Sequence, residues 1–185
     1  MNKWARRATV AATLITLLAG AGFAIYRYHY PYGWTHCCDS QLGRALNQYA
    51  VLHGGWFPRG EVTPEASLSL IYRMDPASWY LLGGKTVPES VVKSQLESGQ
   101  LLTPETCSWL YVEGLRSDDD PRLALFWDKI GLGHNGERRP DGGHMMVNIQ
   151  GIHQNIPGAE WAAFLSQQEE LRSALKRPPS IPDKP

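Results

Sequence analysis

Ser108-Trp109-Leu110-Tyr111-Val112, Leu123-Ala124-Leu125-Phe126-Trp127, Met145-Met146-Val147-Asn148-Ile149 and the segment from Ile152 to Ile156 are short runs of apolar, aromatic and β-branched residues. Runs of that length, parted by Asp, Pro, Gly and Asn, read as strands. Ser117-Asp118-Asp119-Asp120-Pro121 separates the first two, and Gly131 to Gly143 is a long polar loop. Gln150-Gly151 reads as a tight hairpin turn with glycine in the second turn position, where φ > 0 is wanted. Strands linked in this order make an antiparallel meander.

Helical spacing governs the flanks. Leu42, Ala45, Leu46, Tyr49 and Leu52 recur on one face behind a capping Asp39 or Ser40, and Gly54-Gly55 stops that helix. Three shorter helices are expected to open at Pro64, Pro76 and Pro88, each proline in the first helical position. After the strands a helix is expected from about Ala159 to Lys176, with Trp161, Phe164, Leu165, Leu171 and Leu175 on one face. Helices that bracket a strand meander, rather than alternating with it, predict an α+β chain. Amphipathic helices would pack on a small antiparallel β-sheet, with a C-terminal helix closing the domain.

Ahead of this domain, Ala8 to Tyr26 contains no charged residue. As a helix it would span about 28 Å, close to the roughly 30 Å of a bilayer's hydrocarbon. Lys3, Arg6 and Arg7 precede it and Arg27 follows, so the positive-inside rule puts the N-terminus in the cytoplasm. Tyr26, Tyr28, Tyr30, Tyr32 and Trp34 then resemble an interfacial aromatic belt. Three readings compete: an uncleaved anchor, a signal peptide cleaved after Ala21, and a buried helix of a soluble protein. The first is preferred. It divides the chain into a stub and transmembrane anchor (1–30, span about 8–26), an extracytoplasmic domain (31–176) and a Pro-rich tail (177–185). The lipid bilayer is then a partner through residues 8–26. The location is a bacterial inner membrane, or the periplasm or exterior if cleavage occurs.

The zero net charge hides an asymmetry. Residues 1–30 carry four of the 18 Lys/Arg and no acid, leaving 14 against all 18 Asp/Glu beyond residue 30, a net of −4. An acidic domain without a basic run is a poor match for nucleic acid. Of the three cysteines, adjacent Cys37 and Cys38 are badly placed to bridge each other. One of them, with Cys38 the candidate, could pair with Cys107 across a loop of about 70 residues. Alternatively all three are buried thiols.

Chemistry-bearing residues are sparse. Gly131-Leu132-Gly133-His134-Asn135-Gly136 matches G-x-G-x-x-G, but Glu137 to Gly143 holds a proline and two glycines and is no helix to receive a pyrophosphate. His134, Asp141, His144 and His153 are the candidates for a metal centre, though without the i, i+4 or tight Cys/His spacing of a strong zinc motif. No nucleophile elbow is present. No cofactor is expected, and an interaction role is favoured over an enzyme.

Cys38 through Tyr49, with its Leu-x-x-Ala-Leu-x-x-Tyr rhythm, and His53-Gly54-Gly55-Trp56-Phe57-Pro58 are similar to the segment behind the anchor of bacterial type IV pilin-like proteins. The group meant is the one with a processing-associated His…Asp-Gly C-terminal motif. Trp109 to Leu115 and Leu123 to Lys129 resemble its two central strands, Gly133-His134-Asn135-Gly136 its Asn-His-Gly-Gly turn, and Gly142 to Gly151 its last hairpin. The resemblance covers most of residues 37–156. Residues 1–12 contain neither the Gly nor the Glu of a prepilin leader, and Gln150-Gly151 stands in place of Asp-Gly. The resemblance implies a pseudopilin-like structural or interaction protein, accessory to a secretion or pilus-like assembly. It implies envelope or pilin-like partners, and structural roles for His134, Gly136 and Gly151. The alternative is an anchored or secreted metal-dependent hydrolase using the loop histidines.

Overall fold

The computed structural model describes residues 2–34 and 39–175. The first helix, α1, runs over Lys3–His29, about 40 Å at 1.5 Å per residue. None of its residues is buried, which removes the reading of α1 as the core helix of a soluble protein. By length and composition it can cross a membrane. Thr9, Thr13 and Thr16 each turn their hydroxyl back to a carbonyl four residues earlier, at 3.0 Å. The polar groups of the apolar stretch are thus satisfied within the helix, as lipid requires. α1 ends where Tyr30 gives its N–H to Tyr26 and Pro31 cannot continue the ladder.

Five helices and four strands follow. They are α2 (Asp39–Leu52), α3 (Pro64–Met74), a 3₁₀ turn over Pro76–Ser78 leading into α4 (Trp79–Leu82), α5 (Glu89–Glu97), β1 (Trp109–Tyr111), β2 (Ala124–Asp128), β3 (His144–Asn148), β4 (His153–Ile156) and α6 (Gly158–Ser173). The strands form one antiparallel sheet in the order β1-β2-β3-β4. The α+β class, the helix order and the meander agree with the sequence reading. Pro64 follows the Thr63 cap as expected, whereas Pro88 occupies the N-cap of α5, with ψ of 134°, and the helix begins one residue later.

The sheet separates two apolar layers. On one face α2 to α5 bury Leu42, Leu46, Leu68, Ile71 and Leu82 against Trp109, Tyr111, Leu125, Phe126 and Val147. On the other, Ala124, Trp127, Met146 and Ile156 meet Phe164 and Trp161 of α6. The expected face of α6 needs one correction. Leu165 is exposed, and Gln168 takes the inward position between Phe164 and Leu171. Its Oε1 accepts the Ala124 N–H at 2.8 Å, and its Nε2 donates to the Arg122 carbonyl at 3.0 Å. A polar side chain is needed there because the start of β2 has backbone groups that no strand covers.

Two irregularities set the faces. Between Ala124 and Phe126 the pairing with β3 slips, a bulge centred on Leu125. Leu125 and Phe126 therefore both face α2–α5, Trp127 faces α6, and Asp128 returns to the α2 side. The β3–β4 connection is the second. Gly151 has the expected positive φ (+77°), but Val147 pairs with His153, one residue out of step with a two-residue turn at Gln150-Gly151. Asn148 Oδ1 accepts both the Gln150 and Ile152 N–H groups, at 3.0 and 2.8 Å, and holds the longer turn.

Candidate functional site

The polar centre of the domain lies where α2 begins, where the loop before α5 passes under the sheet, and where β2 and β4 present their ends. Asp39 is the first residue of α2, Lys85 follows Gly83-Gly84, and Asp128 closes β2. Lys85 Nζ lies 2.7 Å from Asp128 Oδ2 and 3.2 Å from Asp39 Oδ2, with side-chain exposures of 0%, 2% and 1% respectively. The Trp109 ring lies 5.5 Å from the ammonium. Gly84 makes the approach possible. Its φ is +73°, and a Cβ there would collide with Ser108 Oγ.

Two carboxylates on one ammonium leave a surplus negative charge in a dry place. Burial pushes the Asp128 carboxyl up to about 6, against the pull of Lys85 and with the help of Asp39. Burial works against the charge of Lys85 as well, but Asp128 and Asp39 outweigh it and the net movement is upward. A lysine held this way is charged and inaccessible, hence no nucleophile. It ties α2, the Gly83–Lys85 turn and β2 together.

The other oxygen of Asp39 faces outward. Oδ1 accepts the Ser40 N–H at 2.9 Å and lies 3.4 Å from His134 Nδ1 and 3.7 Å from His153 Nε2. The two rings meet edge to face, centroids 5.9 Å apart, and Ser40 Oγ is 3.3 Å from His153 Nε2. Burial holds His153 below the usual imidazole range despite Asp39, with His134 and Lys85 adding to the lowering. A groove of about 510 Å³ lined by Ser40, Arg44, Asn47 and Gln150 opens beside this pair.

The expected quartet His134, Asp141, His144 and His153 is not assembled. His144 pairs across the ladder with Ile156, and His153 with Val147, so the two histidines lie on opposite faces of the sheet. His144 stacks on Trp161 at 4.0 Å, with Nδ1 3.1 Å from the Asp128 carbonyl, and burial lowers its pKa. Asp141 accepts from the Gly143 and Gly158 N–H groups at the start of α6, and these bonds, the Gly158 one first, hold its carboxyl low. Among the described residues no cluster of three or more His, Cys, Asp or Glu has the arrangement of a metal centre. The G-x-G-x-x-G stretch is a turn closed by Gly133 N–H to Glu137 O and by a bridge between Leu132 and Arg138, with Gly136 at positive φ inside it. Cys107 is a buried thiol 3.2 Å from the Leu82 carbonyl, pushed up to about 12 by burial. Cys37 and Cys38 lie outside the described residues, as does the 177–185 tail.

Lys85 and Asp128 were not among the sequence candidates. The available signal was a lysine directly after Gly-Gly and an aspartate ending an apolar strand, each an oddity only once the other is known. Compared with known proteins, the chain matches no family model, no curated protein and no solved structure.

Proposed function

We propose that this chain is a membrane-anchored, extracytoplasmic protein of the pseudopilin-like kind, with a structural or interaction role accessory to a secretion or pilus-like assembly. The observation that carries the reading is α1: an apolar helix with no buried residue, placed ahead of a folded α+β domain that leaves it uncovered. Covering that surface takes lipid or other apolar helices. The polar centre is consistent with a scaffold. Its lysine is sealed and charge-paired, and His144 lies on the opposite sheet face from the His134–His153 pair. The positive-inside bias of Lys3, Arg6 and Arg7 orients the domain outward.

The test is fractionation of full-length protein, with protease added to intact and to opened cells. Carbonate-resistant membrane association, with the domain cleaved from outside and an intact N-terminal stub, is the expected result. Recovery of full-length protein in the cytosol overturns the proposal.

A further inference from the structure

The end of α1 is bound to the domain at two places far apart in sequence. Trp34 donates its backbone N–H to the Tyr26 hydroxyl at 2.9 Å, so the chain doubles back after Pro31 and returns to the level of Tyr26. From the other side, Arg138 in the 131–143 loop gives its backbone N–H to the His29 carbonyl at 2.7 Å and its Nε–H to the Tyr28 carbonyl at 3.0 Å. Its guanidinium lies 5.1 Å from the Tyr28 ring. These are the unpaired carbonyls that end a helix, and a cation there also meets the negative end of the helix dipole.

The heights follow. If hydrocarbon ends near Tyr26, then Tyr28 and His29 lie about 3–5 Å beyond it. A headgroup layer is roughly 5–7 Å thick on each side. Arg138 is therefore at phosphate level. Its Nε–H is occupied, while its terminal nitrogens have no bonding partner among the described residues, and Arg27, exposed one position before Tyr28, stands at the same level. The neighbouring charges are already engaged. Arg139 is paired with Asn155 and Asp141, and Glu137 accepts from Asn135. The geometry points to the 131–143 loop as a membrane-seated surface, with Arg138 and Arg27 contacting the phosphates of anionic lipid headgroups. This rests on α1 spanning a bilayer. The same loop carries His134, so the Asp39–His134–His153 group and its groove stand close to the lipid surface rather than on a free-swinging domain.

The experiment is amide hydrogen exchange of the full chain in nanodiscs of phosphatidylcholine, in nanodiscs of equal phosphatidylcholine and phosphatidylglycerol, and in detergent. An arginine at an anionic surface gains about fivefold in local affinity. Residues 131–143 should exchange about fivefold more slowly on the anionic discs than on the neutral ones, with α3 unchanged. R138A and, in part, R27A should remove the difference, and R138K, which keeps the charge, should retain it. Equal exchange of 131–143 in all three environments, with α1 still protected by the bilayer, overturns headgroup contact and leaves the anchor standing. Loss in R138K as complete as in R138A makes the effect one of packing and also overturns it. Unprotected α1 amides in the discs overturn the anchor and this proposal together.

Discussion

Lys85 Nζ sits 2.7 Å from Asp128 Oδ2 with neither side chain reaching solvent, and Asp39 completes the group from the far side. Removing one member of a buried ion group strands the others. Lys85→Met should destabilise the domain by about 3–5 kcal/mol near neutral pH. The loss should be smaller near pH 5, where the orphaned carboxyls can protonate. Denaturant unfolding of detergent-solubilised full-length protein, followed by tryptophan fluorescence at both pH values, reads both effects.

Asp128 sets a pH dependence of unusual sign. Its carboxyl is raised to about 6 from 3.8, so the folded state holds the proton more tightly than the unfolded one. The contribution of this group is therefore greatest below about pH 4. It falls by up to about 3 kcal/mol between pH 4 and 6, and is flat above. His153 and His144, both lowered, act in the opposite direction, adding stability as pH rises towards and through 6.5. Asp128→Asn should remove this falling component and leave the rising slopes of the histidines and of lowered carboxyls such as Asp141. Its stability relative to the parent should improve steadily from pH 4 to 6, in unfolding curves taken at half-unit steps.

At Gly84, alanine meets a left-handed backbone and Ser108 Oγ at once. Gly84→Ala should cost at least about 2 kcal/mol. Gly99, also at positive φ but with nothing near its Cβ position, is the control: Gly99→Ala should cost about 1 kcal/mol. Thermal melts of the two variants, compared directly, separate backbone strain from collision.

Gln168 serves two backbone groups at the entry to β2. Replacing it with leucine leaves the buried Ala124 N–H without its acceptor, for a loss of about 1–3 kcal/mol. Faster amide exchange at Ala124, ahead of global unfolding, is the expected local signature.

The elements of the fold were legible because they rest on local rules. Pro64 behind Thr63, the Gly54-Gly55 stop and the four apolar runs each announce their own structure. What escaped was phase. A two-residue turn at Gln150-Gly151 would have put His153 on the same face as His144, and a one-residue difference in register reverses every side chain of a strand. The metal quartet depended on that phase. The Leu125 bulge likewise decides which of Trp127 and Asp128 meets Lys85, and nothing in Leu-Ala-Leu-Phe-Trp-Asp marks it, since every residue of β2 is buried whichever way it points. Hydrophobicity points to Leu165 on α6, whereas the inward position is set by unpaired backbone at the start of β2 and goes to Gln168.

The Leu125 bulge also gives β2 one residue more than β3 sets opposite it, a surplus its composition conceals. Excising Leu125 alone would leave Ala124 opposite Asn148 and Phe126 opposite Val147, so Trp127 would stay on the α6 side and Asp128 on the ammonium, whereas one residue inserted between Phe126 and Trp127 would exchange the two. Variants shortened within the Ser117–Pro121 connection would keep that phase. Along this strand, spacing is constrained downstream of the bulge, while Leu125 itself is the position at which a residue can be lost without turning the others over.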